Sequence, residues 1–230
     1  MPPVLMSQQS KFKNAQRLQL SILTPLEKKT LRWLAERMPA WVNSDHLTLL
    51  GFAGMILTGV SYYLAQYNPL FLVAGIVCLA INWFGDSLDG TLARVRDRQR
   101  PRYGFYVDHV VDAFGASFVV AGLGLSGYMS PSIAMGFLIA YFLMNIEIYL
   151  ATYTLGVFKL SYGLMGPTEL RVIVCIGNLV LLAKKTVRIG DSSYLLCDVS
   201  GAVAIVALVG ITIVSTIKNT RRLYDEERLP

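Results

Sequence analysis

The 230-residue sequence predicts an all-α, polytopic membrane protein with six transmembrane helices preceded by an amphipathic interfacial helix. Three observations predict it. Hydrophobic residues make up 54% of the chain and charged residues only 16%, whereas a soluble domain is closer to a quarter charged. The apolar residues fall in long blocks rather than in amphipathic stripes, with a mean hydropathy of +0.49. Lysines and arginines gather in particular connections between those blocks, as in a chain oriented by its cytoplasmic charge.

Residues 1–23 read as a solvated cytoplasmic arm. They contain no apolar h-region, so no cleavable signal peptide is expected. Residues 24–38 (TPLEKKTLRWLAERM) predict the interfacial helix. Thr24 caps it, Pro25 takes the first helical position and Glu27 completes a capping box. Leu26, Leu31, Trp33, Leu34 and Met38 share a broad face, with Glu27, Lys28, Lys29, Arg32 and Glu36 elsewhere. Such a helix lies in the membrane interface or packs on the protein, and the residues alone do not separate the two.

The six membrane segments are His46–Gln66, Pro69–Arg94, Gly104–Tyr128, Ser132–Phe158, Pro167–Ala183 and Tyr194–Ile217. Five approach the roughly 20 residues that one crossing needs. The fifth is short: its uncharged core, Val172–Ala183, covers 12 positions. It crosses only where its first turn, TELR, lies inside protein or a wet cavity. Residues 46–217 thus form one membrane domain, and 218–230 form a cytoplasmic tail.

Orientation follows from charge. Seven Lys/Arg precede the first segment, five (Arg94, Arg96, Arg98, Arg100 and Arg102) mark the junction of segments two and three, and four follow the last. Both termini and the arginine loop are therefore expected in the cytoplasm. Lys184, Lys185 and Arg188 break the pattern. Cys78, Cys175 and Cys197 lie in or beside apolar segments with no CxxC spacing, so neither disulfides nor a zinc site are expected. No nucleic-acid partner is expected either.

Against this apolar background stands DSLDGTLARVRDRQRPRYGFYVDHVVD, residues 86–112, with five aspartates. Asp86 and Asp89 are three apart and Asp108 and Asp112 four apart, so each pair shares a helix face. The short connection makes the ends of segments two and three neighbours, and four carboxylates converge just below the cytoplasmic surface. Left alone they would repel one another and suffer a desolvation cost. Loop arginines or hard divalent cations would relieve this, and oxygen-only ligands suit Mg²⁺, Mn²⁺ or Ca²⁺. Ionisable residues at such a place mark function. Gly90 and Gly104 allow close approach of a ligand, and Arg94 is within reach of an anion. Asp97 lies off the pattern.

Asp86, Asp89, Gly90, Ala93 and Arg94 in DSLDGTLAR, with Gly104, Asp108 and Asp112 in GFYVDHVVD, resemble the signature of the CDP-alcohol phosphotransferase (CDP-alcohol phosphatidyltransferase) family, DxxDGxxAR followed by GxxxDxxxD. Eight fixed positions match, each at roughly 5% by average usage. One departure stands: nine residues separate Arg94 from Gly104 where the family pattern has seven or eight, and an outward bulge of the arginine loop would absorb the extra one. His109 after Asp108, Glu147 and Tyr149 in EIY, and Gly166, Pro167 and Glu169 in GPTE resemble the choline/ethanolamine phosphotransferase branch.

The resemblance implies an enzyme of phospholipid synthesis that moves a substituted phosphate from a CDP-alcohol to an acceptor hydroxyl and releases CMP. It implies two Mg²⁺ (or Mn²⁺) ions per site on Asp86, Asp89, Asp108 and Asp112. Asp112 would be a metal ligand, the general base, or both. Asp89, Gly90, Ala93, Arg94 and Gly104 would line the nucleotide and phosphate site. Glu147, Glu169 and Arg171 are acceptor-pocket candidates, or else polar contacts that fix helix packing. A lipid substrate, the bilayer and a homodimer complete the implied partners. Rival classes are a Mg-dependent membrane prenyltransferase, whose two aspartate motifs stand farther apart, and a cation channel or transporter, which has no need of the GxxAR spacing.

Overall fold

The computed structural model describes residues 16–18, 24–159 and 166–229. Along these the chain forms β1 (Gln16–Leu18), α1 (Thr24–Arg37), α2 (Ser44–Leu64), α3 (Phe71–Val95), α4 (Pro101–Leu125), α5 (Pro131–Leu155), β2 (Val157–Lys159), α6 (Pro167–Ala183), β3 (Thr186–Ile189), β4 (Ser192–Leu195) and α7 (Leu196–Glu226). The protein is an all-α membrane protein in its main body. Among the described residues, α2, α3, α4, α5 and α7 are long and apolar enough to cross a bilayer. The expected count of six is thus not reached on length. With 17 residues, α6 spans about 25 Å at 1.5 Å per residue, short of a hydrocarbon core of about 30 Å.

Helix association inside a bilayer gains little from burying leucine, because lipid is equally apolar, so close packing of small residues carries it. Helix α2 has such residues on two faces. A Cβ added at Gly54 would lie 2.8 Å from the backbone nitrogen of Asn82 on α3, and one at Gly85 would meet Gly51 and Leu47 of α2. On the other face, Gly59 and Gly122 bring α2 and α4 so close that a Cβ on Gly122 would collide with the Gly59 carbonyl. Gly122 thus serves close helix packing. Helix α2 packs on both α3 and α4, while α3 and α4 make no comparable contact with each other. A gap is left between them with α2 as its floor.

Two buried clusters sit at opposite ends of α2. Leu31 and Ala35 of α1, Val42, Leu47, Leu88 and Leu92 form one; Tyr62, Leu72, Val120, Tyr128, Ala134, Leu181 and Cys197 belong to the other. The expected single apolar face of α1 is divided. Leu31 and Ala35 are buried, with Leu34 and Met38 packed beside them, whereas Leu26 is 67% and Trp33 53% exposed. One stripe covers α3 and another faces outward, so packing on the protein and an interfacial position are compatible.

Three local features depart from expectation. The chain closes α3 with Arg98 N–H donating to Ala93 O (2.9 Å) and Asp97 N–H to Arg94 O (3.2 Å), a Schellman stop. Its left-handed residue is Asp97 (φ 51°), a conformation short polar side chains tolerate, so the loop aspartate has a backbone role. Helix α7 continues past Ile217 to Glu226, supported by an Arg222–Glu226 pair at 2.8 Å, where a solvated tail was expected. Two short strand pairs also occur. Lys184, Lys185 and Arg188 lie at and in the β3–β4 hairpin, with the Lys185 ammonium 4.8 Å above the Tyr128 ring. Of the expected N-terminal arm, only residues 16–18 are described, paired in parallel with 157–159; the remainder of 1–23 lies outside the described residues. Cys78, Cys175 and Cys197 are free thiols.

Candidate active site

Helical spacing puts Asp86 and Asp89 on one face of α3, and each is held by a different neighbour. The Arg171 guanidinium of α6 pairs with the Asp86 carboxylate, and its Nε donates to Asn82 Oδ1 at 3.0 Å. Asn82 in turn donates to the Gly51 carbonyl of α2 at 3.1 Å. The Thr48 hydroxyl of α2 donates to Asp89 Oδ2 at 2.6 Å, and Ser44 Oγ to the Asp89 carbonyl at 2.9 Å. Asp89 Oδ1 accepts from the Gly90 amide.

Asp112, on α4, stands within electrostatic range of Asp86, Asp89 and Arg171. Asp112 of α4 thus faces the acids of α3 across the gap floored by α2. Loop arginines are one of the two sources of relief the sequence offers; the guanidinium that pairs with Asp86 comes instead from Arg171, in the first turn of α6. The loop arginines bind elsewhere. Arg96 donates to the carbonyls of Met38, Pro39 and Val42, and Arg100 pairs with Asp45. They strap the arginine loop to the α1–α2 connection.

Helix α5 supplies a further wall, of which the sequence points to Tyr149 but not to Tyr141. Tyr141, hydrogen-bonded to Asn145, lies in the field of Asp112 and Arg171, and Tyr149 lies in the field of Asp108 and Asp112. The His109 ring is held between Phe105, at 4.2 Å between centroids, and Tyr149, at 4.8 Å. Only the short EIY match singled out Tyr149, and nothing in the pattern distinguished Tyr141 from other aromatic residues of an apolar helix.

The other candidates are dispersed. Glu147 accepts from Ser215 Oγ (2.8 Å) and Asn219 Nδ2 (2.7 Å) of α7, while Glu169 accepts from the Gly166 amide at 3.1 Å and closes the start of α6. Arg94 donates to Thr91 Oγ1 at 2.9 Å and remains exposed. Ala93 lines a cleft of ≈ 410 Å³ between the start of α2 (Asn43, Ser44, Asp45) and the end of α3, with Arg98 and Arg100 also in its lining. A Cβ added at Gly104 would meet nothing within 4 Å, and one at Gly90 only the Arg94 guanidinium at 3.5 Å. Packing inside the chain therefore does not demand these two glycines, unlike those of α2, and Gly104 borders open space.

Among the described residues no three His, Cys, Asp or Glu side chains already close on one point. The acids stand as two pairs on separate helices. The donor set fits hard divalent cations all the same. The four motif carboxylates are oxygen ligands, Asp89 among them held by the Thr48 hydroxyl, and carboxylate oxygen suits such ions, whereas zinc prefers nitrogen or sulfur.

The fold is that of an integral-membrane protein with an acidic cluster beside the α6 arginine. The chain belongs to the CDP-alcohol phosphatidyltransferase family, whose model it matches over residues 41–214. Members of that family use CDP-alcohol donors and alcohol acceptors in phospholipid synthesis and are generally dependent on divalent metal. The chain is 26% identical to an archaetidylinositol phosphate synthase of Pyrococcus horikoshii, over 70% of this chain and 82% of the relative. A protein of the same description from Methanothermobacter thermautotrophicus is also 26% identical, covering 70% and 77%. Cholinephosphotransferase 1 of Danio rerio is 29% identical over 63% of this chain, which spans only 39% of that longer protein.

Proposed function

We propose that this protein transfers a substituted phosphate from a CDP-alcohol to an acceptor hydroxyl, with release of CMP, at the gap between α3 and α4. The observation that carries the proposal is the facing of Asp86 and Asp89 by Asp112 across a gap floored by α2, within the family's own motif.

Asp86, Asp89, Asp108 and Asp112 would hold two divalent cations, Mg²⁺ or Mn²⁺. Bound there, these would stabilise negative charge on the pyrophosphate oxygens and orient the β-phosphorus for in-line attack. The chain's own residues supply the rest. Gly90 and Gly104 leave room for the nucleotide, and Ala93 faces the cleft that would take it. Arg94, exposed beside Gly90, would bind a phosphate oxygen. Asp112 would take the proton of the acceptor hydroxyl as its oxygen bonds to phosphorus and the bond to CMP breaks. Of the acceptor-side candidates, Arg171 stands in the site; the contacts of Glu147 and Glu169 favour roles in packing and helix capping.

With positive-inside charge, both termini and the site lie on the cytoplasmic side, and α1 lies in that interface with Leu26 and Trp33 toward lipid. Helix α6 makes a sixth crossing, its polar first turn sheltered by bonds to Asp86, Asn82 and Glu27. Two donor classes fit: CDP-diacylglycerol with a polar acceptor, or a CDP-linked head group with a lipid acceptor. Relatives named for an archaetidylinositol phosphate and for a cholinephosphotransferase stand on either side. Purified protein incubated with a panel of both donors and matched acceptors, with labelled CMP followed, decides between them. No CMP from any donor would overturn the proposal.

A further inference from the structure

One carboxylate far from the motif gathers three donors from two helices of the site. Glu27, on α1, accepts at its Oε1 from Trp83 Nε1 (3.0 Å), Ser87 Oγ (3.3 Å) and Thr168 Oγ1 (2.7 Å). Trp83 and Ser87 lie on α3, and Thr168 on α6. Ser87 directly follows Asp86, and Thr168 lies one turn before Arg171 on the same face of α6. The same two helices are joined again at Asp86–Arg171. Glu27 therefore closes a second bridge between α3 and α6, within one helical turn of the first.

We infer that Glu27 is a positioning residue: α1, through this carboxylate, sets the rotation and height at which Asp86 and Arg171 meet. The inference rests on the reading of Asp86 as a site residue. Glu27 lies on the N-terminal helix α1, ahead of the region matched by the family model, residues 41–214. An exposed glutamate on an amphipathic helix needs no partner. One that satisfies an indole and two hydroxyls from two other helices is a structural joint, because each of those donors, moved away, would lose its acceptor.

Four variants test it, with CMP release measured in detergent-purified protein. Glu27→Ala should lower kcat by about tenfold, as small displacements at a site do, with KM for the CDP-alcohol within about twofold. Glu27→Gln retains an oxygen at the Oε1 position and should restore kcat to within about threefold of wild type. In an Arg171→Ala background, Glu27→Ala should add less than about twofold, because the two act through one contact. Unchanged kcat in Glu27→Ala, or losses that multiply in the double variant, would overturn the inference. Where Glu27→Ala does not fold, Thr168→Val removes one arm of the joint and takes its place, with the same expected split and the same contrary result. Asp86→Asn separates the underlying reading: full activity in that variant sinks the site assignment, whereas a dead Asp86→Asn beside a normal Glu27→Ala sinks only the inference.

Discussion

Arg171 and Asp86 pair across the α6–α3 contact, with only 19% and 24% of their side chains exposed. Nearly buried ion pairs are expensive to desolvate, and removing one partner leaves the other uncompensated. The Arg171 guanidinium is therefore the countercharge of Asp86, and it also holds Asn82, which in turn holds α2.

Arg171→Ala should cost about 10- to 100-fold in kcat/KM, since truncating one member of such a pair is worth a few kcal/mol. Arg171→Lys should recover only part of it, because an ammonium cannot serve Asp86 and Asn82 with one planar fork. CMP-release kinetics with a thermal melt of each variant check this.

Thr48→Val removes the 2.6 Å hydrogen bond to Asp89 at nearly constant volume. A hydrogen bond to a charged group contributes roughly 1.5–3 kcal/mol. Activity should fall by about 10-fold and the melting temperature should drop by a few degrees. A variant with wild-type kinetics would show that α2 does not orient Asp89.

Gly59→Ala and Gly85→Ala should destabilise strongly, because each new Cβ collides with backbone of the neighbouring helix and the gap between α3 and α4 depends on α2 sitting close to both. Gly177→Ala, which meets nothing within 4 Å, should be neutral or mildly stabilising, since alanine is the better helix former by about 1 kcal/mol. Melting temperatures in one detergent compare all three.

Glu147→Leu should lower thermal stability through loss of the Ser215 and Asn219 contacts, with KM for the acceptor unchanged within about twofold. A selective rise in that KM would return Glu147 to the acceptor pocket.

The helices and acids were legible in the sequence for separate reasons. Long apolar blocks mark helices α2 to α5 and α7 to within a few residues at their starts, because a bilayer permits little else. The DxxDGxxAR pattern marks the site because carboxylates at a membrane edge need a reason to be there. What escaped was long-range pairing. Nothing in TELR says that its arginine meets Asp86 rather than Glu147, since the partner is chosen by how α6 lies on α3. Tyr141 and Asn145 look like ordinary residues of an apolar helix until α5 is placed beside α4. Glu27 read as part of a helix start, and its three distant donors appear only once α1, α3 and α6 are assembled. The end of α7 was missed for a local reason: NTRRLYDE is polar, and polarity ends a membrane span without ending a helix.

Metal dependence comes first in the chemistry. Chelation with EDTA should abolish CMP release, and added Mg²⁺ or Mn²⁺ should restore it, because carboxylate oxygen suits those ions. Activity that survives chelation would remove the divalent cations from the proposal.

The most direct test of the central claim is CMP release by Asp86→Asn and Asp112→Asn, each measured beside wild type with its preferred CDP-alcohol and saturating Mg²⁺. Both asparagines keep shape and lose charge. The account predicts that each variant, folded by its melting curve, loses activity by about 10²- to 10³-fold, the scale set by removing one electrostatic group from a preorganised site. Activity within about threefold of wild type in either variant would contradict it.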